Sequence, residues 1–470
     1  MAAPGAAGSP QPGRCAYFVE RKRRFCKMVP ARGRRFCGEH GAHAEEENSR
    51  KRIPCPLDPK HTVYEDQLQK HLKKCNSREQ PKPVYFVQDI NAGVKDATEL
   101  PKEQQIPIST LSKEQLEDLI RKLRRASNSI NYVLKDEILS HQALNEALND
   151  PKNGVAAIKH LKQQASILGH MERLHLLGSG KCFVEFGAGR GKLSHWVDIA
   201  LHNAQDIHFL LVERATTRFK VDGKHRKNCF ERLQVDIQHL GLNKVPVLAK
   251  RKLPVIGIGK HVCGAATDLA LRCLVETYAK PFDKKEGPAP KRLKTDEGNA
   301  TPNNSGETLN TSVTDNWRPV AGIVIALCCH HRCDWKHYVG QEFFATVGLG
   351  AVEFNYFKRM TSWATCGMKD TSKKSCETDT KNEDQNDEEE EHAQDVGSLE
   401  CSLDNLQGLL TTEERKQIGQ LCKLLIDYGR LEYLQQRGYE AVLQRYTDHS
   451  VSLENVLLTA VPCQSPLATS

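Results

Sequence analysis

The sequence predicts an α/β protein: a doubly wound, mostly parallel sheet preceded by two small Cys/His-rich modules and a helical linker region. Three observations carry that reading. From about Ile158 onward, short apolar runs alternate with helix-like segments. The first run enters a glycine turn and leaves it as a helix, "CFVEFGAGRGKLSHW" from Cys182 to Trp196. Ahead of both, residues 14–76 are basic and crowded with Cys and His at ligand-like spacings.

At 470 residues the chain has room for two or three domains and at least one sizeable core. A content of 39% hydrophobic and 27% charged residues describes a soluble globular protein with some disordered parts. No apolar run approaches the roughly 18 residues of a membrane span, and "MAAPGAAGSPQPGR" lacks a basic start followed by an apolar core. No membrane association is therefore expected, and the chain reads as intracellular, in the nucleus and/or cytoplasm. There, seventeen cysteines argue for metal ligation and reduced thiols rather than disulfides. Residues 1–82 hold 18 Lys/Arg against 9 Asp/Glu, so +9 of a net +8 lies there and the remainder is near −1. A basic module on a near-neutral body is the footprint of a nucleic-acid binder; a solvated basic arm is the alternative.

The elements follow in order. Residues 1–13 are Ala/Gly/Pro/Ser-rich and expected to be a disordered tail. In 14–42, Cys15, Cys26, Cys37 and His40 give C-x10-C-x10-C-x2-H; in 53–77, Cys55, His61, His71 and Cys75 give C-x5-H-x9-H-x3-C. Each set offers the four ligands of a closed structural zinc site, and peptides this short need the metal to fold. Two structural zinc ions are expected, with His71 and Cys75 one turn apart on a helix. Arg21, Lys22, Arg23, Arg24, Arg32, Arg34, Arg35, Lys70, Lys73 and Lys74 lie among the ligands, with Tyr17, Phe18, Phe25 and Phe36 between them. Such side chains bind phosphates and stack on unpaired bases, although some of the rings must form the mini-core.

Residues 78–110 read as a proline-punctuated linker. In 111–157, Leu116, Leu119, Leu123, Ile130, Val133, Ile138, His141, Leu144 and Leu148 fall at helical spacing after an N-cap candidate, Ser112. The segment forms a short coiled coil or amphipathic helices packing on their own domain. The α/β domain occupies 158–470, with strands at "CFVEFG", "IHFLLVER", "RLQVDI", "LPVIGIG", "AGIVIALCC", "YEAVLQRYT" and "NVLLTAV"; the last two suit an antiparallel hairpin at the sheet edge. Two inserts poor in apolar residues, 283–316 and 369–405, are expected to be disordered. The first contains "PAPKRLKTD", which resembles a nuclear import signal through Lys291, Arg292 and Lys294.

The glycine turn is neither a P-loop, which needs four residues between its glycines and a hydroxyl after the lysine, nor the dinucleotide fingerprint, whose third glycine comes one residue later. What remains is Glu185-x-Gly187-x-Gly189-x-Gly191, which resembles the first motif of S-adenosylmethionine-dependent methyltransferases. The glycines let the backbone approach the methionine part of the cofactor, and an acid nearby can meet its ammonium. Glu213, ending the second strand, suits the ribose hydroxyls, and Asp236, ending the third, the adenine amino group. All three acids could instead simply punctuate strand ends.

The ordered combination of both fingers, the helical region, "EFGAGRGKLS", "GKHVCGAATDLALRC", "ALCCHHRCDW" and "IDYGRLEYL" is similar to one family, the eukaryotic tRNA 2'-O-methyltransferases that modify position four of the acceptor stem. The resemblance covers nearly the whole chain except the tail and the inserts. It implies a methyltransferase sheet, S-adenosylmethionine as donor, a tRNA ribose 2'-hydroxyl as acceptor, and zinc fingers as RNA-binding parts. The C-H-H-C finger also resembles one in spliceosomal proteins. No feature points to an obligate protein partner.

Chemistry belongs at the carboxyl ends of the strands. "GKHVCG" follows the fourth strand with Lys260, His261 and Cys263, and "CCHHRCDW" follows the fifth. A ribose hydroxyl needs help to lose its proton, and Lys260 or His261 is the candidate base, with His330 and Arg332 orienting the acceptor ribose or a phosphate. No Lys-Asp-Lys-Glu tetrad is evident. His261 and His330 could instead be packed structural residues, and "CCHHRC" is too crowded for all its ligands to reach one ion. Arg430 in "DYGR" is a phosphate or ribose contact, or a structural cap. Two other functions remain open: an RNA 5-methylcytosine methyltransferase using Cys263 and Cys328, although no Pro-Cys dipeptide follows the fourth strand, and a non-catalytic RNA-binding scaffold.

Overall fold

The structure is a computed structural model describing residues 10, 12–20, 24–37, 40, 52–75, 77–78, 81–93, 106–215, 229–278, 319–365 and 409–463. Most of the expected tail, both inserts, the Lys291–Lys294 run, and Arg21, Lys22 and Arg23 lie outside the described residues. The chain divides into two units, 1–83 and 84–470.

In the first unit, β1 (Phe18–Val19) pairs antiparallel with β2 (Arg24–Phe25), their Phe18 and Phe25 rings meeting edge-on at 5.2 Å. Tyr17 stacks on His40 at 4.0 Å. These rings serve the mini-core, since so small a module has little else to bury. The second finger pairs β3 (Arg52–Cys55) with β4 (Asp58–Tyr64) and adds α1 (Leu68–Leu72). His71 lies on α1, but Cys75 lies beyond its end, in a turn closed by Lys74 N–H to the His71 carbonyl at 2.8 Å.

The second unit opens with a strap. Residues 84–93 fall in the segment read as linker, yet Phe86 bridges Leu240, and the fully buried Asn91 donates to the carbonyls of Ile237 and Leu240. Next comes α2 (Lys113–Ile130), begun by a capping box between Ser112 and Gln115. Its Leu116, Leu119, Ile120 and Leu123 are buried inside the same unit, against Phe354, Phe357, Ile418, Cys422 and Leu425. At about 1.5–3 kcal/mol per side chain that stripe is already occupied, so the coiled-coil alternative falls. The helical pattern beyond it also ends early. Asn131 turns left-handed at φ 41°, Val133 and Ile138 are exposed, and β5 (Lys135–Asp136) joins the sheet instead.

Then follow α3 (Asn145–Asn149), α4 (Val155–Arg173), β6 (Cys182–Phe186), α5 (Lys192–Ala200), β7 (His208–Glu213), β8 (Cys229–Gln234), α6 (Pro246–Arg251), β9 (Val255–Cys263), α7 (Ala265–Arg272), β10 (Val320–Cys328), α8 (Gln341–Thr346), α9 (Ala351–Met360), α10 (Thr412–Gln435), β11 (Tyr439–Arg445) and β12 (Val456–Pro462). The eight-stranded sheet runs β5-β11-β12-β10-β9-β6-β7-β8. Strands β6 to β10 are parallel, and β12 is antiparallel to both β10 and β11. The hairpin thus lies next to the edge, which β5 completes.

Every residue of β6 is buried. Cys182, Val184 and Phe186 face a core shared with α7 and α10, and Phe183 faces a second core shared with α4 and α5. Helices on both faces explain why these strands read as continuous apolar runs. The order reverses at β6, whose neighbours are β7 and β9, and there a crevice opens at the carboxyl edge.

Candidate functional site

In the first finger, Cys15 and Cys37 sulfurs lie 3.6 and 3.2 Å from His40 Nδ1, and Cys26 and Cys37 sulfurs are 4.0 Å apart. In the second, the Cys55 and Cys75 sulfurs are 3.7 Å apart and the two Nε2 atoms of His61 and His71 are 3.1 Å apart. Tetrahedral zinc with bonds near 2.0–2.3 Å sets its ligands about 3.3–3.8 Å from one another. Both sets fit that ion, and the Cys37 N–H donates to the Cys15 sulfur at 3.2 Å, the outer-shell bond a thiolate requires.

The glycine loop follows β6. Gly187 is left-handed at φ 63°, and a Cβ there would stand 2.9 Å from the His261 carbonyl oxygen, so only glycine permits this approach of loop to β9. Glu185 is turned inward and is 4% exposed; its carboxylate accepts from the Ser194 backbone N–H at 2.9 Å and from the Ser194 hydroxyl. It therefore anchors the loop to the first turn of α5 rather than presenting a free face to a ligand's ammonium. Burial pushes its carboxyl up to about 7, against the opposing pull of the Ser194 bonds. Glu213 ends β7 and accepts from the Gly189 N–H at 3.0 Å, while Arg232 donates to the Gly189 carbonyl at 2.8 Å. Asp236 lies just beyond β8 and caps a short turn through the Gln238 N–H.

Lys260 and His261 do not follow the fourth strand; they lie within β9. The β9–β10 register shifts between Gly259 and Val262, placing the two residues on a bulge. Bulges re-aim side chains, and this one puts the Lys260 amine 2.9 Å from His160 Nδ1 and 3.0 Å from His261 Nε2. Lys260 is 8% exposed, whereas His261 is open to solvent. His160, on α4, was missed by sequence reasoning, because nothing in "AAIKHLKQQ" marks one polar helix position above another. Arg332 is exposed, and its backbone packs against Gly264 at the end of β9.

His330 is placed differently. It is 1% exposed, with Nε2 2.8 Å from Asp427 Oδ1. Cys329 is left-handed at φ 49° and a single turn of 3-10 helix follows, which swings the imidazole into the interior. Arg430 is fully buried with it, donating to Asp268 from Nε at 3.1 Å and Nη2 at 2.8 Å, and to Asp427 at 2.9 Å. The acceptor-facing readings of His330 and Arg430 give way to a buried strut joining α7, α10 and the β10 turn.

Cys263 and Cys328 face one another, sulfurs 3.4 Å apart. The bond from Cys328 pulls the Cys263 thiol down, but Cys329 and burial outweigh it, and the thiol stands at about 12. A cavity of about 410 Å³ lies between α10 and the β11–β12 turn, lined by Gln417, Gln420, Lys423, Asp427, His449 and Asn455 among others. It includes no residue of the glycine loop.

Three family models match the chain: "Methyltransferase TRM13" over residues 162–461, "CCCH zinc finger in TRM13 protein" over 13–41, and "U11-48K-like CHHC zinc finger" over 52–76. The chain is 64% identical over 471 residues to the Mus musculus tRNA:m(4)X modification enzyme TRM13 homolog, covering 98% of each. The Homo sapiens homolog is 65% identical over 472 residues, with 98% of this chain and 97% of that one covered. The Schizosaccharomyces pombe tRNA:m(4)X modification enzyme TRM13 is 31% identical over 426 residues, covering 87% and 95%. No solved structure matches.

Proposed function

The chain belongs to the methyltransferase TRM13 family, and on that premise we propose that it methylates the ribose 2'-hydroxyl at position four of the tRNA acceptor stem, with S-adenosylmethionine as donor. The observation that supports this best is the approach of the Gly187 loop to the bulge carrying Lys260 and His261. The loop fits the cofactor: positive φ at Gly187, Gly189 and Gly191 leaves a cradle without side chains, and Glu213 stands beside it for ribose hydroxyls. When bound, S-adenosylmethionine supplies an electrophilic sulfonium methyl group.

The chain's own residues do the rest. Glu185 and Ser194 hold the loop to α5. Asp236 meets the adenine amino group. Lys260, held between two imidazoles, takes the proton of the 2'-hydroxyl as the oxygen becomes nucleophilic, and the exposed His261 returns it to water. His160 positions the amine. Arg332, at the rim, contacts an acceptor phosphate. The fingers, each with a zinc-fitting ligand set and a basic surface, supply tRNA affinity.

Cytosine C5 chemistry needs a cysteine sulfur open to the base, and Cys263 and the buried Cys328 instead face one another, sulfurs 3.4 Å apart. The deciding experiment is transfer of labelled methyl from S-adenosylmethionine to total tRNA, followed by nuclease digestion and mass spectrometry of the nucleosides. Label on ribose is the expected result. Label on the cytosine ring would overturn the reading in favour of Cys263 and Cys328, and no label on any tRNA would leave a non-catalytic binder.

A further inference from the structure

Three sulfur atoms converge where β9 and β10 end. Cys263 closes β9, Cys328 closes β10, and Cys329 follows it. Cys263 and Cys328 are directly paired in the parallel register, and the Cys329 sulfur lies within 4.8 Å of both others. Consecutive residues of a strand point to opposite faces. Cys329 rejoins its neighbour because its backbone turns left-handed, φ 49°, a conformation costing a non-glycine residue on the order of 1 kcal/mol. None of the three is in a disulfide.

We propose that Cys263, Cys328 and Cys329 form a third metal site, which binds a thiophilic d10 cation of the Zn²⁺ type through three thiolates. Zinc thiolates stand about 3.8 Å apart, between the 3.4 Å of the Cys263–Cys328 contact and the 4.8 Å limit of the trio. The crowding of "CCHHRC" is resolved in space. His330 is turned to Asp427, Cys333 lies 3.1 Å from Arg430 Nη2 and the exposed His331 stands outside the cluster, so two residues of that run remain, and the third ligand comes from β9. Three thiolates on a divalent ion leave one negative charge, and the Arg332 charge, which is felt at Cys263, offsets it. With three protein ligands the fourth position stays exchangeable, unlike the closed sets in the fingers. Binding expels the thiol protons and pins β9 to β10 only two residues past the Lys260–His261 bulge. This site is independent of which nucleotide is methylated.

The test uses the full-length protein, reduced and loaded with zinc, then freed of excess metal, with metal per chain counted by plasma mass spectrometry. Three equivalents are expected, falling to two in Cys263→Ser and in Cys329→Ala. Unchanged far-ultraviolet circular dichroism certifies each variant; if Cys263→Ser misfolds, Cys329→Ala, at a half-buried turn, decides alone. Exchange with Cd²⁺ must also give a thiolate charge-transfer absorption that loses the share of the third ion in the variants. Two equivalents in the unaltered chain, with no added absorption from a third equivalent of Cd²⁺, would overturn the proposal. So would a Cys263–Cys328 disulfide recovered in a non-reducing digest of the freshly isolated protein.

Discussion

Replacing Arg430 by methionine measures what the buried strut behind the site contributes. Methionine keeps much of the stem volume, so the cavity term is small and the change is chiefly electrostatic. Arg430 serves two carboxylates, Asp268 through a two-pronged contact and Asp427 through one bond. Asp427 retains His330 at 2.8 Å, whereas Asp268 is fully buried and loses its cation. Removing one partner of a buried pair costs about 3–5 kcal/mol, and with one of the two carboxylates still partnered about 3–4 kcal/mol is expected. The exposed pair of Arg121 with Asp118, at 3.0 Å, is the control; Arg121→Met should cost under about 1 kcal/mol. Urea unfolding of the full chain, followed by tryptophan fluorescence, compares the two midpoints at equal slope. The acid limb gives a second reading. Burial alone would raise the Asp427 carboxyl, but His330 and then Arg430 hold it below its ordinary value. Its stabilising contribution is therefore present above the unfolded carboxylate range and lost as pH falls through the depressed folded value. Without Arg430 that loss begins at higher pH. A cost for Arg430→Met no larger than that of Arg121→Met would refute the reasoning, because the cluster would then behave as though solvated.

Lys260→Met should lower kcat for tRNA methylation by roughly 10²–10⁴ while S-adenosylmethionine affinity stays within a few-fold, and His160→Ala should fall between; a kcat within threefold of the unaltered enzyme removes Lys260 from proton transfer. Gly187→Ala must place a methyl group 2.9 Å from the His261 carbonyl at a left-handed φ, so calorimetry should show cofactor affinity reduced by about tenfold or more. Because burial lifts the Glu185 carboxyl from an ordinary 4.5 to about 7, its contribution is full below 4.5 and lost as pH rises through 7, by roughly 3 kcal/mol. Glu185→Gln should flatten the dependence of Tm on pH between about 4.5 and 7, and parallel curves would count against it. Cys75→Ser should release one zinc ion and raise the KM for tRNA at least tenfold without altering cofactor affinity; loss of cofactor binding would contradict the division of labour between fingers and sheet.

The features legible in the sequence are those whose chemistry is closed within a short stretch. Zinc ligands must recur at fixed spacings, and a loop that admits backbone close to a ligand must be glycine, so both finger sets and the Gly187–Gly191 turn stand out unaided. The parallel sheet is equally visible, because strands covered on both faces lose their polar alternation. Helical periodicity, by contrast, shows only that α2 has an apolar stripe. Its partner is decided by α9 and α10, more than 200 residues later in the chain. The bulge at Lys260 and His261 leaves no local mark, since register belongs to two strands and the sequence displays them one at a time. The same holds for polar residues just past a strand, where one dihedral decides between crevice and core. His330 and Arg332 share a single turn, yet the left-handed Cys329 sends the first inside and leaves the second at the rim. Arg430 is the sharpest instance. Exposed, a guanidinium after "DY" would suit a phosphate; buried, it needs carboxylates, and Asp268, 162 residues away, meets that need. A charged residue's role is thus written in its solvent exposure and in its distant partners, neither of which a one-dimensional pattern contains.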